Sequence, residues 1–354
     1  MTTVTDDLAA RIAHVRAALE RVPRVRLGHL PTRLDPCPRL EAALDGPEIW
    51  CKRDDCTGLA FGGNKTRQLE YVLGDALAQG ADVLIQGAAS QSNHSRQVAA
   101  AAARLGLECV VMPRRDANFW AHQGNQRIAE LMATSIEPVA EGDSVGAAKQ
   151  TVAERLRAQG RKPYIVGMGE MGVLALASVA YVGALLEIVD ELIAGGELLP
   201  THLYVTSQGS SQAGLQLGVE LLGLDTKVIG INPLDDRDEA FNSCEVIRGF
   251  MHDAAHALGE DDFEPGEPTN LVDYVGPRYG EGSDASREAI ELAARTEGLL
   301  FDPVYSGKGL AGLIDHIRIG RVGHADRVVF VHTGGLPAIF ADVWGKPAKA
   351  AVVT

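Results

Sequence analysis

From residue 48 to residue 340, short apolar runs alternate with helical periods, and this alternation constrains the fold more than any other feature of the chain. Ile49-Trp50-Cys51-Lys52, Val83-Leu84-Ile85, Cys109-Val110-Val111-Met112, Tyr164-Ile165-Val166, Leu203-Tyr204-Val205-Thr206, Val228-Ile229-Gly230-Ile231 and the run 328–331 have the length and composition of buried strands. Between and after them, segments 66–79, 95–105, 125–132, 145–159, 212–222, 240–258, 284–296 and 310–319, and a long apolar stretch from Val173, read as helices. A short helix is expected after Pro337, and the acidic, Pro-rich stretch 259–268 reads as a solvated loop. Strand–helix alternation sustained this long predicts an α/β chain with open, mostly parallel sheets flanked by helices.

Charge narrows the possible functions. Lys plus Arg is 33 against 47 Asp plus Glu, a formal net charge of −14 at pH 7, and protonating all 10 histidines would leave it negative. A phosphate-backbone binder needs a basic surface, so nucleic acid is not an expected partner. Asp6 and Asp7 stand where a secretory leader carries positive charge. The most apolar stretch, 171–186, falls short of the roughly 20 residues that span a bilayer. The expectation is a cytoplasmic protein without a membrane partner, its five scattered cysteines (Cys37, Cys51, Cys56, Cys109, Cys244) kept as thiols.

Several motifs compete for the chemistry. Gly167-Met168-Gly169-Glu170-Met171-Gly172 follows a strand and opens a helix, the setting of a dinucleotide fingerprint. The next strand, however, ends Val205-Thr206-Ser207, without the acid that would hold a ribose, and Gly307-Lys308-Gly309-Leu310-Ala311-Gly312 repeats the pattern. An NAD-dependent oxidoreductase therefore stands as the alternative from another enzyme class. His252 and His256 lie one helical turn apart but lack a third ligand, and no metal is expected. In Gly209-Ser210-Ser211-Gln212-Ala213 the closing glycine of a nucleophile elbow comes one residue late, at Gly214.

Three segments carry more together. Lys65, in Gly62-Gly63-Asn64-Lys65-Thr66, sits at a helix start where the dipole disfavours an ammonium, and Schiff-base chemistry needs the neutral amine. Gln91-Ser92-Asn93-His94-Ser95 places hydroxyl and amide donors at a second helix start, a carboxylate site. The loop around Gly209, Ser210 and Ser211, between strand and helix, lets backbone N–H groups close around a phosphate. A Schiff-base lysine, a carboxylate site and a phosphate cup are the parts of a pyridoxal-phosphate enzyme.

At these residues the chain resembles the 1-aminocyclopropane-1-carboxylate deaminase / D-cysteine desulfhydrase family. The similarity is carried by Lys52-Arg53-Asp54-Asp55, the block from Leu59 to Arg67, Gln91-Ser92-Asn93, Asp302-Pro303-Val304-Tyr305 with Gly307-Lys308, and His332-Thr333-Gly334-Gly335. The resemblance implies the tryptophan-synthase-β-like fold, a homodimer, a large cofactor-binding domain (1–66 and 179–354) and a small inserted domain (67–178). It implies pyridoxal 5'-phosphate held by Lys65, which also moves the Cα proton. Ser92 matches a serine beside the substrate carboxylate and Asn93 the residue bonding the cofactor's phenolic oxygen, with His94 beside them on the substrate side. Gly209, Ser210 and Ser211 match the phosphate loop, Tyr305 a ring-stacking tyrosine and Tyr279 a second active-site tyrosine.

Ser306 stands where the deaminases carry Glu beside the pyridine nitrogen and the desulfhydrases a hydroxyl. A neutral hydroxyl makes a weaker electron sink, which suits β-elimination better than cyclopropane opening. The expected reaction is β-elimination from a small amino acid to a 2-oxo acid and ammonia. A 1-aminocyclopropane-1-carboxylate deaminase, a cysteate sulfo-lyase and a biosynthetic lyase or β-replacement enzyme remain alternatives, because Gln68, Gly169-Glu170-Met171-Gly172 and Glu281-Gly282-Ser283 depart from the family pattern.

Overall fold

The computed structural model describes residues 5–117, 119–167, 171–234 and 243–341. Its strands are β1 (Leu34–Pro36), β2 (Glu48–Lys52), β3 (Val83–Ala88), β4 (Glu108–Pro113), β5 (Ser135–Ile136), β6 (Pro163–Val166), β7 (His202–Thr206), β8 (Lys227–Ile231), β9 (Thr269–Leu271) and β10 (Arg327–Val331). They form a six-stranded sheet in the order β1-β2-β10-β7-β8-β9 and a four-stranded sheet in the order β5-β4-β3-β6. Among the described strands only β1 runs antiparallel to its neighbour. The expected open, mostly parallel architecture is therefore present twice. The described α-helices are α1 (Asp6–Arg21), α2 (Pro38–Leu44), α3 (Asn64–Ala78), α4 (Asn93–Leu105), α5 (Gly124–Met132), α6 (Val145–Ala158), α7 (Met171–Gly195), α8 (Ser210–Leu222), α9 (Cys244–Leu258), α10 (Asp284–Glu297) and α11 (Ser306–Arg318).

Parallel strands covered on both faces must be apolar on both, and the register shows how. On β7 and β10, Leu203, Val205, Val329 and Val331 face one core, while Tyr204, Val328 and Phe330 face the other. In the smaller sheet Leu84, Cys109, Val111 and Val166 pack on one side and Val83, Ile85, Val110, Met112 and Ile165 on the other. The long apolar helix α7 belongs to the first of these cores. One described helix is long and apolar enough to cross a membrane, and 72% of its apolar window is buried in the protein. Val179, Tyr181, Val182, Leu185 and Ile188 bury against the large sheet, as a core helix does.

Helix α8 crosses α7 closely because two glycines face it. A Cβ on Gly214 would lie 2.0 Å from the Ser178 carbonyl oxygen and 2.5 Å from Tyr181 Cβ, and one on Gly218 2.8 Å from Leu185. Gly214→Ala should therefore force the helices apart. We expect a loss of about 1–3 kcal/mol, read as a lower denaturant midpoint at unchanged slope.

Two departures from the periodicity reading have clear causes. Helix α1 is not anticipated by it; Thr5 Oγ1 accepts the Leu8 N–H, Asp6 and Asp7 favour its positive end, and Val15, Ala18 and Leu19 bury against the core. The helix expected from 310 starts earlier, at Ser306, because the Asp302 carboxylate accepts the N–H groups of Val304, Tyr305 and Ser306 (each 2.9 Å). Gly307 and Gly309 then serve packing: a Cβ on Gly309 would meet Thr206 Oγ1 at 1.9 Å. The expected start of the 240–258 helix and Met168, Gly169 and Glu170 of the first glycine motif lie outside the described residues. His252 and His256 sit exposed, beside Asp253 and Asp261 respectively.

Candidate active site

The site is built around one turn. Gly58, Ala60, Phe61, Gly62 and Gly63 all have positive φ, and a Cβ on Gly62 would lie 2.2 Å from the Asp55 carbonyl oxygen. Only glycine fits there. The turn is tied down by Gly63 N–H donating to Thr57 Oγ1 (2.8 Å) and Asn64 N–H to the Thr333 carbonyl (2.9 Å). It delivers Lys65 as the second residue of α3. Some of the Lys65 side chain remains reachable by solvent, but its ammonium is enclosed, and burial pushes it down to about 8. Enclosure, rather than the helix dipole expected from the sequence, is the cause.

Four further segments converge on this turn. From α3, Gln68 Nε2 donates to Ser210 Oγ (3.2 Å) and Ser211 Oγ (3.1 Å), and Asn64 Nδ2 to Ser211 Oγ (3.3 Å). The lysine turn is thus fastened directly to the first residues of α8. Gly209, at φ +116°, precedes that helix, and Ser207 Oγ accepts the N–H groups of Gly209 and Gln212. Gln68 has a definite task in place of the family's lysine: it aims two hydroxyls, each of which keeps its own hydrogen to donate.

At α4, Ser92 is the N-cap and accepts the Ser95 N–H (3.2 Å). Asn93 and His94 form its first positions. Burial, with the charges of Lys65 and Lys149, pushes the His94 imidazole down to about 3, so it is neutral at physiological pH. The helix also reaches the lysine turn: Gln97 Nε2 donates to the Gly62 carbonyl (2.9 Å) and Thr66 Oγ1 to Gln97 Oε1 (2.6 Å).

The remaining segments come from α11 and the end of β10. Ser306 Oγ donates to Asp302 Oδ1 (2.7 Å), lies 3.2 Å from the Gly334 carbonyl and accepts the Asp302 N–H (2.9 Å). A Cβ on Gly334 would sit 2.6 Å from Gly63 Cα, so Ser306 adjoins the lysine turn. Ser306 is not an isolated hydroxyl, as the sequence suggested, but one coupled to a buried carboxylate. The Tyr279 and Tyr305 hydroxyls hydrogen-bond to each other, with ring centroids 5.8 Å apart at 70°. Burial, Tyr279 and Asp302 all hold the Tyr305 phenol well above its ordinary value, with Gln208, next to the phosphate-type loop, opposing them.

Behind the site lies a buried charge lattice. Arg67 pairs with Asp54 (2.8 Å) and Glu187 (2.7 Å), Lys52 with Glu187 (2.9 Å), and Tyr181 donates to Asp54 (2.9 Å). It links β2, α3 and α7 beneath Lys65.

An amine near neutrality, a helix N-terminus with two aimed hydroxyls and a further hydroxyl beside the turn are donors suited to a phosphate-bearing aldehyde, and pyridoxal phosphate fits them. Residues 25–334 match the family model described as pyridoxal-phosphate dependent enzyme. The chain belongs to that family. Among pyridoxal-phosphate dependent enzymes, it is 40% identical over 333 residues to D-cysteine desulfhydrase of Salmonella typhi (91% of this chain, 97% of that protein) and equally to that of Salmonella choleraesuis. The crystal structure of an ACC deaminase homologue superposes with a TM-score of 0.80 at 31% identity, covering 92% of this chain and 96% of that one. The threonine deaminase of T.th., at 20% identity and TM-score 0.60 over 93% and 97% of the two chains, shares the fold. Fold type, cofactor and lyase or deaminase class thus agree with the sequence reading.

The structure brings Lys65, Gly209, Ser210, Ser211, Tyr279, Tyr305 and Ser306 around one turn, with Ser92, Asn93 and His94 at the adjoining helix start. Sequence reasoning did not find Arg96, Gln97 or the capping work of Asp302. Arg96 had a signal, a charged residue placed one turn into a helix whose other face is alanine-rich.

Proposed function

We propose that this enzyme catalyses β-elimination from a small amino acid, with D-cysteine as the first substrate to test, releasing a 2-oxo acid, ammonia and the β leaving group. The observation that carries the reading is the Lys65 amine, enclosed and pushed to about 8 beside a phosphate-type cup fastened to its own helix. Lys65, with Ser210, Ser211 and Ser306, would hold pyridoxal phosphate. When bound, that cofactor supplies the electron sink for charge developing at Cα. Ser92, Asn93 and neutral His94 offer donors to the substrate carboxylate at the positive end of α4. Lys65 takes the Cα proton; the Cβ–S bond breaks and sulfur leaves with its electron pair. The resulting enamine acid takes up water to give pyruvate and ammonia. The Salmonella relatives at 40% identity support this choice of substrate.

The structural likeness to an ACC deaminase homologue favours a second reading, opening of 1-aminocyclopropane-1-carboxylate. Ammonia and sulfide release from D-cysteine, L-cysteine, L-cysteate and 1-aminocyclopropane-1-carboxylate separates the two. Sulfide with equimolar pyruvate from D-cysteine is expected; ammonia from the cyclopropane substrate alone would establish the second reading instead. We further propose the 67–178 segment as the small domain and a cytoplasmic homodimer as the assembly, the latter read by solution mass.

A further inference from the structure

Arg96, on the second turn of α4, is fully buried. It donates to the carbonyls of Ala60 and Gly62 (the latter 3.1 Å), to Asn125 Oδ1 (2.6 Å) and to Asn93 Oδ1 (3.2 Å). All four acceptors are neutral. Burial pushes the guanidinium down to about 9, and no charged group among the described residues around it offsets that. A buried cation without a counter-ion is costly, so a chain keeps one only where something else is gained.

What is gained lies in the two ends of the contact. Two of the bonds grip the glycine turn that delivers Lys65, and a third holds the Asn93 amide by its oxygen. With Oδ1 taken, the amide cannot rotate without presenting Nδ2, a donor, to a guanidinium that only donates. Nδ2 makes no bond among the described residues, so it is left for a ligand.

We propose that Arg96 is a positioning residue that locks the Asn93 amide so that Nδ2 points at the phenolic oxygen of the bound cofactor. The proposal rests on the pyridoxal-phosphate reading of the site. A donor at that oxygen disperses its negative charge; without it the charge concentrates there and the protonated form of the chromophore is favoured. Loss of the donor therefore raises the pH at which the bound cofactor's visible band titrates.

The test uses the holoenzyme and four variants: Arg96→Lys, Asn93→Ala, the two combined, and Asn93→Asp. Arg96→Lys retains the charge and loses the fork. It should raise the titration midpoint by about one pH unit, as should Asn93→Ala, since a hydrogen bond to a charged oxygen is of that order. The double variant should shift no further than Asn93→Ala alone. Asn93→Asp, which keeps the Arg96 contact but replaces the donor by an acceptor, should raise the midpoint while also raising Tm, because the guanidinium gains a counter-ion; this arm holds even if Arg96→Lys does not fold. An unshifted midpoint in Arg96→Lys, additive shifts in the double variant, or an unshifted midpoint in Asn93→Asp overturns the proposal. A wild-type protein without any Lys65-dependent visible band overturns it together with the cofactor reading.

Discussion

Lys65→Ala should abolish the visible absorbance that the wild-type protein acquires with pyridoxal phosphate, and turnover should fall by at least the ~10²–10⁴-fold that a positioned acid–base group contributes. The loss should be larger than for any other single change in the site, because the same amine is assigned both to hold the cofactor and to move the proton. The wild-type pH dependence follows from burial. A lysine whose ammonium is pushed down to about 8 is mostly charged at pH 7 and mostly neutral at pH 9 in the cofactor-free protein. The rate at which cofactor-free protein forms the band should therefore rise through about pH 8 and level off above it. A rate still climbing towards pH 10 would mean that the amine is as solvated as an ordinary surface lysine.

Arg67→Met should be the most destabilising substitution near the site. Arg67 and Asp54 are buried together, and the change leaves the Asp54 carboxylate without its main partner. Breaking a buried pair from one side costs about 3–5 kcal/mol, or roughly 5–10 °C in Tm for a chain of this size. The effect has a pH signature. Burial alone would raise the Asp54 carboxyl, but the Arg67 charge and hydrogen bonds, with Lys52 and Thr32, bring it below its ordinary value; Glu187 is lowered by Arg67 and Lys52 in the same way. Groups lowered on folding stabilise the folded state above their unfolded values, near 4, and that contribution disappears as pH falls through the folded ones. The stability gap between wild type and Arg67→Met, measured by urea unfolding, should therefore be full at pH 7 and shrink below about pH 4. A gap that is absent at pH 7 would show the lattice to be energetically idle.

Much of this is legible from the residues. Both sheets follow from apolar runs separated by helical periods, since a strand covered on two faces has no polar side to disguise it. Lys65 and Ser210-Ser211 can be placed because helix starts after strands carry local signatures. What periodicity does not carry is partnership across the chain. Nothing in the local sequence of Gln68 says that it faces Ser210, 142 positions away, or that Arg96 lies against the Gly62 carbonyl. Ser306 shows the limit most clearly: the hydroxyl is plain in the sequence and its partner is not, because the Asp302 contact depends on how the loop before α11 folds back. Helix α1 escapes for a different reason, since its apolar face is sparse and its caps and packing sustain it.

Ala60 and Phe61, in the turn ahead of Lys65, have side chains and yet adopt left-handed backbone conformations, at φ +44° and +70°. Each such residue opposes folding by on the order of 1–3 kcal/mol. The carbonyls of Ala60 and Gly62 are held by a guanidinium that is itself uncomfortable in the interior. The molecule is thus least at ease where its chemistry is aimed, and any drift of the family towards greater robustness would be easiest here and most harmful to turnover. Thermal hardiness and catalytic competence compete, in this protein, over the same handful of peptide units.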